Sequence, residues 1–328
     1  MTQPSRARSL TYLGIVKDKG LLLNCKAGSL MKDAVLKHGP LHEEFCVATP
    51  GSDGRLEKGL KSKLEVVVYH RGMPEEDVDR FAEAVHTAID AHQCALVANV
   101  FTETKDVTMP GAAFLNGDRH MIVPARVMDS FVLCGNPRLL MEAKMQLIND
   151  MVGAHAKPII KELKDKKAVS RKIMQSGRQT WKGETVTHYD LDCGMAYCWN
   201  KESDGSTVHL RGFKFGPLRY MQNVLQHDMM MFVRGLALKK RRDEAKEFLS
   251  TLPTPTVEKL HAVGALKNSR LSTDELSELA DHYGAFLELY HQSESLSNQG
   301  ITALPFDTAE VRTRITAIAR LLENGLFR

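Results

Sequence analysis

Cysteine is scarce and unpatterned in this chain. Six cysteines in 328 residues (Cys25, Cys46, Cys94, Cys134, Cys193 and Cys198) include no CxxC pair. Neither a disulfide framework nor a structural zinc site is indicated, and reduced thiols in a cytosolic protein are the simplest reading. Long apolar runs are also missing. No stretch approaches the eighteen or more apolar residues that a membrane-spanning helix needs, and MTQPSRARSL lacks the apolar core of a signal peptide. The expectation is a soluble intracellular protein without membrane contact. The motifs GxxxxGK[ST], GxGxxG after a strand, HExxH and GxSxG are absent as well, so no familiar nucleotide, zinc or serine-hydrolase site is spelled out, and no cofactor is indicated.

What is present is a globular composition, 43% hydrophobic and 26% charged, sufficient to bury a core. The net charge of +4 is modest but unevenly spread. Lys157 to Lys182 holds nine lysines and arginines against two acids, and Arg211 to Lys246 holds nine against three. The middle third is therefore a basic island in an otherwise acidic chain.

The first 135 residues read as α/β or α+β. SLTYLGIV (9–16), KLEVVVYH (63–70), CALVANVF (94–101), HMIVPARV (120–127) and SFVLCG (130–135) have strand composition. Between the second and third, Val78, Phe81, Ala82, Val85 and Ile89 recur at helical spacing behind Pro74 and three acids. Residues 136–215 read as an amphipathic helix, a basic helix, and a small antiparallel meander from ETVTHYD, CGMAYCW and STVHLRGF. Residues 216–328 read as an all-helical final third. It begins with one long helix from Leu218 to Leu249, then a capping box at Ser272 and Glu275 and a last helix capped at Asp307. These three segments are candidate domains or parts of one.

The stretch RGFKFGPLRY (211–220) sets aromatics among basic residues. RGFKF resembles the aromatic signature of the RNA-recognition-motif family, in which alternate aromatics on a strand stack bases. That family places a helix, not a hairpin, ahead of the motif's strand pair, so membership is not indicated. The packing alternative is a strand end whose phenylalanines enter the core before Pro217 opens a helix. The function expected from the basic island is binding of nucleic acid or another acidic partner. Phosphate contacts are expected from Lys164, Lys167, Arg171, Lys172, Arg211, Lys214, Arg219, Lys239, Lys240, Arg241 and Arg242, with stacking from Phe213 or Phe215.

Other candidates compete. In THYDLDC, a strand would project His188, Asp190 and Asp192 from one face, a possible divalent-metal row. Cys134 precedes a helix start, where a thiolate is stabilised, although a buried structural cysteine is the plainer reading. The methionines of HDMMMF suit an adaptor that docks a partner, or simply a core. VVVYHRGMP, VFTETK and GDRHMIVPARV, in that order, resemble the strands of arginine-type ADP-ribosyltransferases. The resemblance implies an NAD-dependent enzyme in which Arg71 holds NAD, Thr102 and Thr104 order the site and Asp118 stabilises an oxocarbenium. Asp118 and His120 stand where that family has two glutamates, and only about fifteen residues separate the second and third elements.

Overall fold

SLTYLGIV is helical, not extended. In the structure, a computed structural model describing residues 6–36, 44–59, 64–91, 100–106, 127–181, 183–197, 213–297, 299, 301 and 303–327, this run lies within a 31-residue helix, α1 (Arg6–Leu36). Six of its eight residues are β-branched, leucine or tyrosine and satisfy strand composition, but burial does not alternate along them. Ser9 and Val16 are buried, and the series continues at Gly20, Asn24, Ala27 and Met31, steps that a helix presents on one side. Glycine on that side permits close approach. A Cβ on Gly20 would stand 2.9 Å from the Leu56 backbone, and one on Gly28 would run into the Leu133 carbonyl oxygen.

Contacts divide the chain into two compact units, each assembled from separated segments. One comprises Ile15–Ile160 and Met230–Thr256; the other comprises Met1–Gly14, Lys161–Met229 and Val257–Arg328.

The first of these contains a four-stranded sheet of β1 (Phe45–Thr49), β2 (Leu64–His70), β3 (Val100–Asp106) and β4 (Phe131–Gly135), ordered β3-β2-β1-β4. A one-turn helix, α2 (Gly51–Gly54), follows β1. β2 and β3 are parallel, so a crossover must join them, and it contains the expected helix, α3 (Glu75–Ala91). β1 is antiparallel to both β2 and β4. Phe45, Val47, Val66 and Val68 form a core with Ala27 and Met31 of α1 and with Val78, Phe81 and Val85 of α3. The Phe45 and Phe81 rings stack with centroids 4.0 Å apart. Cys46, Ala48, Val67 and Tyr69 on the alternate positions are buried too, and α4 (Pro137–Val152) packs on β1 and β2. Burial on both faces explains why Val66, Val67 and Val68 run without a polar break. A buried ion cluster fixes the adjoining turn: Arg55 bonds Glu57 and Asp129, both at 2.9 Å, and Glu57 accepts the Thr256 amide at 3.0 Å.

α5 (Ala156–Ser176) is followed by the hairpin β5 (Arg178–Trp181) and β6 (Glu184–Thr187). β7 (Tyr189–Asp190) and β8 (Met195–Tyr197) then pair antiparallel, but the third strand of their sheet is β9 (Ala303–Pro305), more than a hundred residues downstream. The expected strand over 206–212 lies outside the described residues. After a π-helical turn (Lys214–Leu218) comes α6 (Arg219–Leu238), which ends where a continuous helix was expected. Lys240 adopts φ 61°, the Arg241 amide donates to the Leu236 carbonyl and the Lys240 amide to that of Ala237, a Schellman C-cap with lysine in the position usually held by glycine. α7 (Arg242–Thr251), α8 (Thr256–Gly264), α9 (Thr273–Ser297) and α10 (Thr308–Leu321) complete the chain. The capping box of α9 forms as the sequence predicts, with the Ser272 amide and hydroxyl donating to Glu275 at 2.8 and 2.9 Å. Asp307 caps α10 through the amides of Ala309 and Glu310. The class is mixed α/β with small sheets and a helical C-terminal part, which β9 interrupts. Among the described residues no helix is long and apolar enough to cross a membrane.

Candidate polyanion-binding surface

Phe213 is fully buried. Its ring stacks on Tyr189 at 5.1 Å and meets Phe286 at 5.4 Å and Phe306 at 5.3 Å, so Phe213 offers no face to a base. Tyr189 is held in turn by its hydroxyl, which donates to the Ile173 carbonyl of α5 at 2.9 Å. Pro217 sits inside the π-helical turn instead of opening α6. Lys214 reaches inward as well: its ammonium donates to the Tyr290 hydroxyl at 3.1 Å and lies 5.1 Å from that ring's centroid. Phe215 is half-buried, 5.2 Å from the His188 ring, and Arg219 is half-buried at the start of α6. Arg211 lies outside the described residues.

The charges of α5 are disposed differently. Ile159, Leu163, Ser170, Ile173 and Met174 are buried, which turns Lys161, Lys164 and Lys172 to solvent. Lys161 bonds Asp165 at 2.9 Å; Lys164 and Lys172 are exposed without an ion-pair partner among the described residues. Arg171 is half-buried at the margin of this face. Lys167 is directed elsewhere, its ammonium 3.7 Å from Asp228 Oδ1.

Asp228 is the residue that sequence reasoning missed. Its Oδ1 also accepts from His227 Nδ1 at 2.7 Å, and its Oδ2 accepts the Leu326 amide at 2.7 Å. Burial pushes this carboxyl up, but the His227 hydrogen bond, the Lys167 charge and the Leu326 amide outweigh it and hold the pKa below the ordinary carboxylate range. The available signal was an acid in the middle of LQHDMMMF, since a charge on a broadly apolar helix needs a partner when buried.

The Lys239, Lys240, Arg241 and Arg242 run is exposed at the α6–α7 junction, with Arg241 forked onto Glu244. It belongs to the unit containing the four-stranded sheet, whereas Lys164, Lys167, Arg171, Lys172, Lys214 and Arg219 belong to the other. The basic island of the sequence is thus divided between the two.

The remaining candidates separate. β7 ends at Asp190, which accepts the Asp192 amide at 2.8 Å in a turn; Asp192 pairs with Arg312, and buried His188 bonds Gln179 at 3.0 Å. No metal row exists there, and no group of three or more possible ligands assembles among the described residues. Burial pushes the Cys134 thiol up to about 12, the opposite of thiolate activation. Met229 and Met230 are fully buried, as core residues. Arg71 is exposed and forked onto Glu142. Thr102 and Thr104 lie on β3, opposite Val66 and Val68. Asp118 and His120 fall outside the described residues. No known protein family matches the chain, and no curated protein does either.

Proposed function

We propose that the chain binds a polyanion of the nucleic-acid type through the solvent face of α5. The observation that carries this reading is the exposure of Lys161, Lys164 and Lys172 on one side of a helix whose other side is core, with Arg171 at the margin and Asp165 as the opposing acid. Lys164 and Lys172 are about 12 Å apart along the helix, so each can meet a different phosphate. The exposed run Lys239–Arg242 is a second, separable contributor. Recognition here is by charge, with no buried ring available from Phe213 to read bases.

Fluorescence anisotropy with a labelled single-stranded oligonucleotide tests this over a salt series. About four contacts predict a slope of log K against log salt near −3, because a single strand contributes about −0.7 per contact. Lys164→Glu with Lys172→Glu is expected to reduce that slope by about 1.5. A parent protein that passes through heparin at low salt ends the proposal.

A further inference from the structure

A cavity of about 310 Å³ opens where the start of α9 meets the end of α10 and the turn that follows it. Its lining includes Arg270, Leu271, Glu275, Arg320, Asn324 and Gly325. That volume lies at the small end of ligand pockets, which run roughly 300–1,000 Å³. The polar groups are not saturated. Arg270 donates Nε to the Phe327 carbonyl, and Arg320 reaches Glu278 through one Nη at 3.3 Å while its charge also acts on Glu275, so the other guanidinium N–H groups of both residues make no hydrogen bond among the described residues. Glu275 is the lining acid, and its Oε2 is occupied by the Ser272 amide and hydroxyl. Gly325, in the left-handed region at φ 75°, closes against Asp228, where a Cβ would stand 2.7 Å from Oδ2, so the Asp228 carboxylate holds this wall in place.

We propose that this cavity binds a small phosphate-bearing molecule between Arg270 and Arg320. Two guanidinium forks match the paired oxygens of a tetrahedral oxyanion, which a lysine pair would not. The Asn324 side-chain amide adds a neutral donor. The volume leaves room beyond the phosphate for a compact organic remainder, with Leu271 as an apolar contact. The proposal is independent of the α5 reading, since none of its residues lies on α5.

Isothermal titration of the full chain with inorganic phosphate and with glycerol phosphate, at fixed ionic strength, is the test. Saturable binding is expected, weakened at least about tenfold in Arg320→Gln and only partly restored in Arg320→Lys. Arg320 is the variant of choice because its side chain is 67% exposed and its loss spares the Arg270 contact to Phe327. Glu275→Gln keeps a capping-box side chain yet removes the lining negative charge, so it should bind phosphate more tightly. Lys164→Gln with Lys172→Gln should leave the titration unchanged, so that failure here and failure of the α5 reading are told apart. No saturable heat with the parent, unaltered affinity in Arg320→Gln, or weaker binding in Glu275→Gln would each overturn the assignment.

Discussion

Phe213 stands within a sequence that imitates a base-stacking motif, and its surroundings give the ring a different task. Tyr189, Phe286 and Phe306 occupy positions around it, and Tyr189 is anchored to α5 through the Ile173 carbonyl. Removing the ring leaves a void that these aromatics cannot close without giving up their own contacts. Phe213→Ala is therefore expected to cost about 3–5 kcal/mol in urea-unfolding measurements. Oligonucleotide affinity, measured where the variant is still folded, should match the parent. A variant of parental stability that had lost nucleic-acid binding would reverse the assignment of Phe213 to the core. Asp228 makes the complementary point: a carboxylate buried in a methionine-rich helix is kept charged by two hydrogen-bond donors, His227 and the Leu326 amide, and by the Lys167 charge.

At the scale of elements, the break between α6 and α7 is decided by one residue's backbone. Lys240 holds φ 61° to close the Schellman motif, and an L-residue in that region carries a cost of roughly 1–2 kcal/mol that glycine does not. Lys240→Gly is expected to gain about 0.5–1 kcal/mol in chemical denaturation, the glycine's extra unfolded-state freedom offsetting part of the relief. A loss of stability would mean that the exposed lysine side chain contributes more than its backbone strain costs. This break was invisible in the sequence because KKRR contains no residue that ordinarily ends a helix. Elements with local signals were legible: α3 behind Pro74 and its acids, α4 from its amphipathic pattern, α9 with its capping box and α10 with Asp307. β9 was not, because Ala303–Pro305 becomes a strand by pairing with β8, a partnership no local pattern announces. The candidate surface divides the same way. The exposed lysines of α5 follow from its periodicity, whereas the pairing of Lys167 with Asp228 and of Lys214 with Tyr290 joins residues far apart in the chain.

At the scale of the whole molecule, the unit containing the four-stranded sheet cannot be cut out as one continuous piece. Its principal segment, residues 15–160, supplies the sheet, α3 and α4, but α4 packs on α7, which arrives from beyond residue 230. Ala245 and Leu249 of α7 are buried, Phe232 and Phe248 meet edge to face at 5.3 Å, and Arg234 donates to the Met151 carbonyl at the end of α4 at 2.7 Å. The buried Glu57 carboxylate, already shared with Arg55, takes the Thr256 amide as well. Deleting residues 230–256 removes a helix from an apolar surface and a partner from a buried ion cluster, losses that weigh heavily against the roughly 5–15 kcal/mol by which domains are ordinarily stable. Residues 15–160 produced alone are thus expected to lack a cooperative thermal transition and to bind a hydrophobic dye. The same segment with residues 230–256 rejoined through a flexible linker should recover cooperativity. A sharp two-state transition in the unlinked fragment would mean that the sheet with α3 and α4 suffices, and that the α4–α7 contact is an addition to this fold instead of a condition for it.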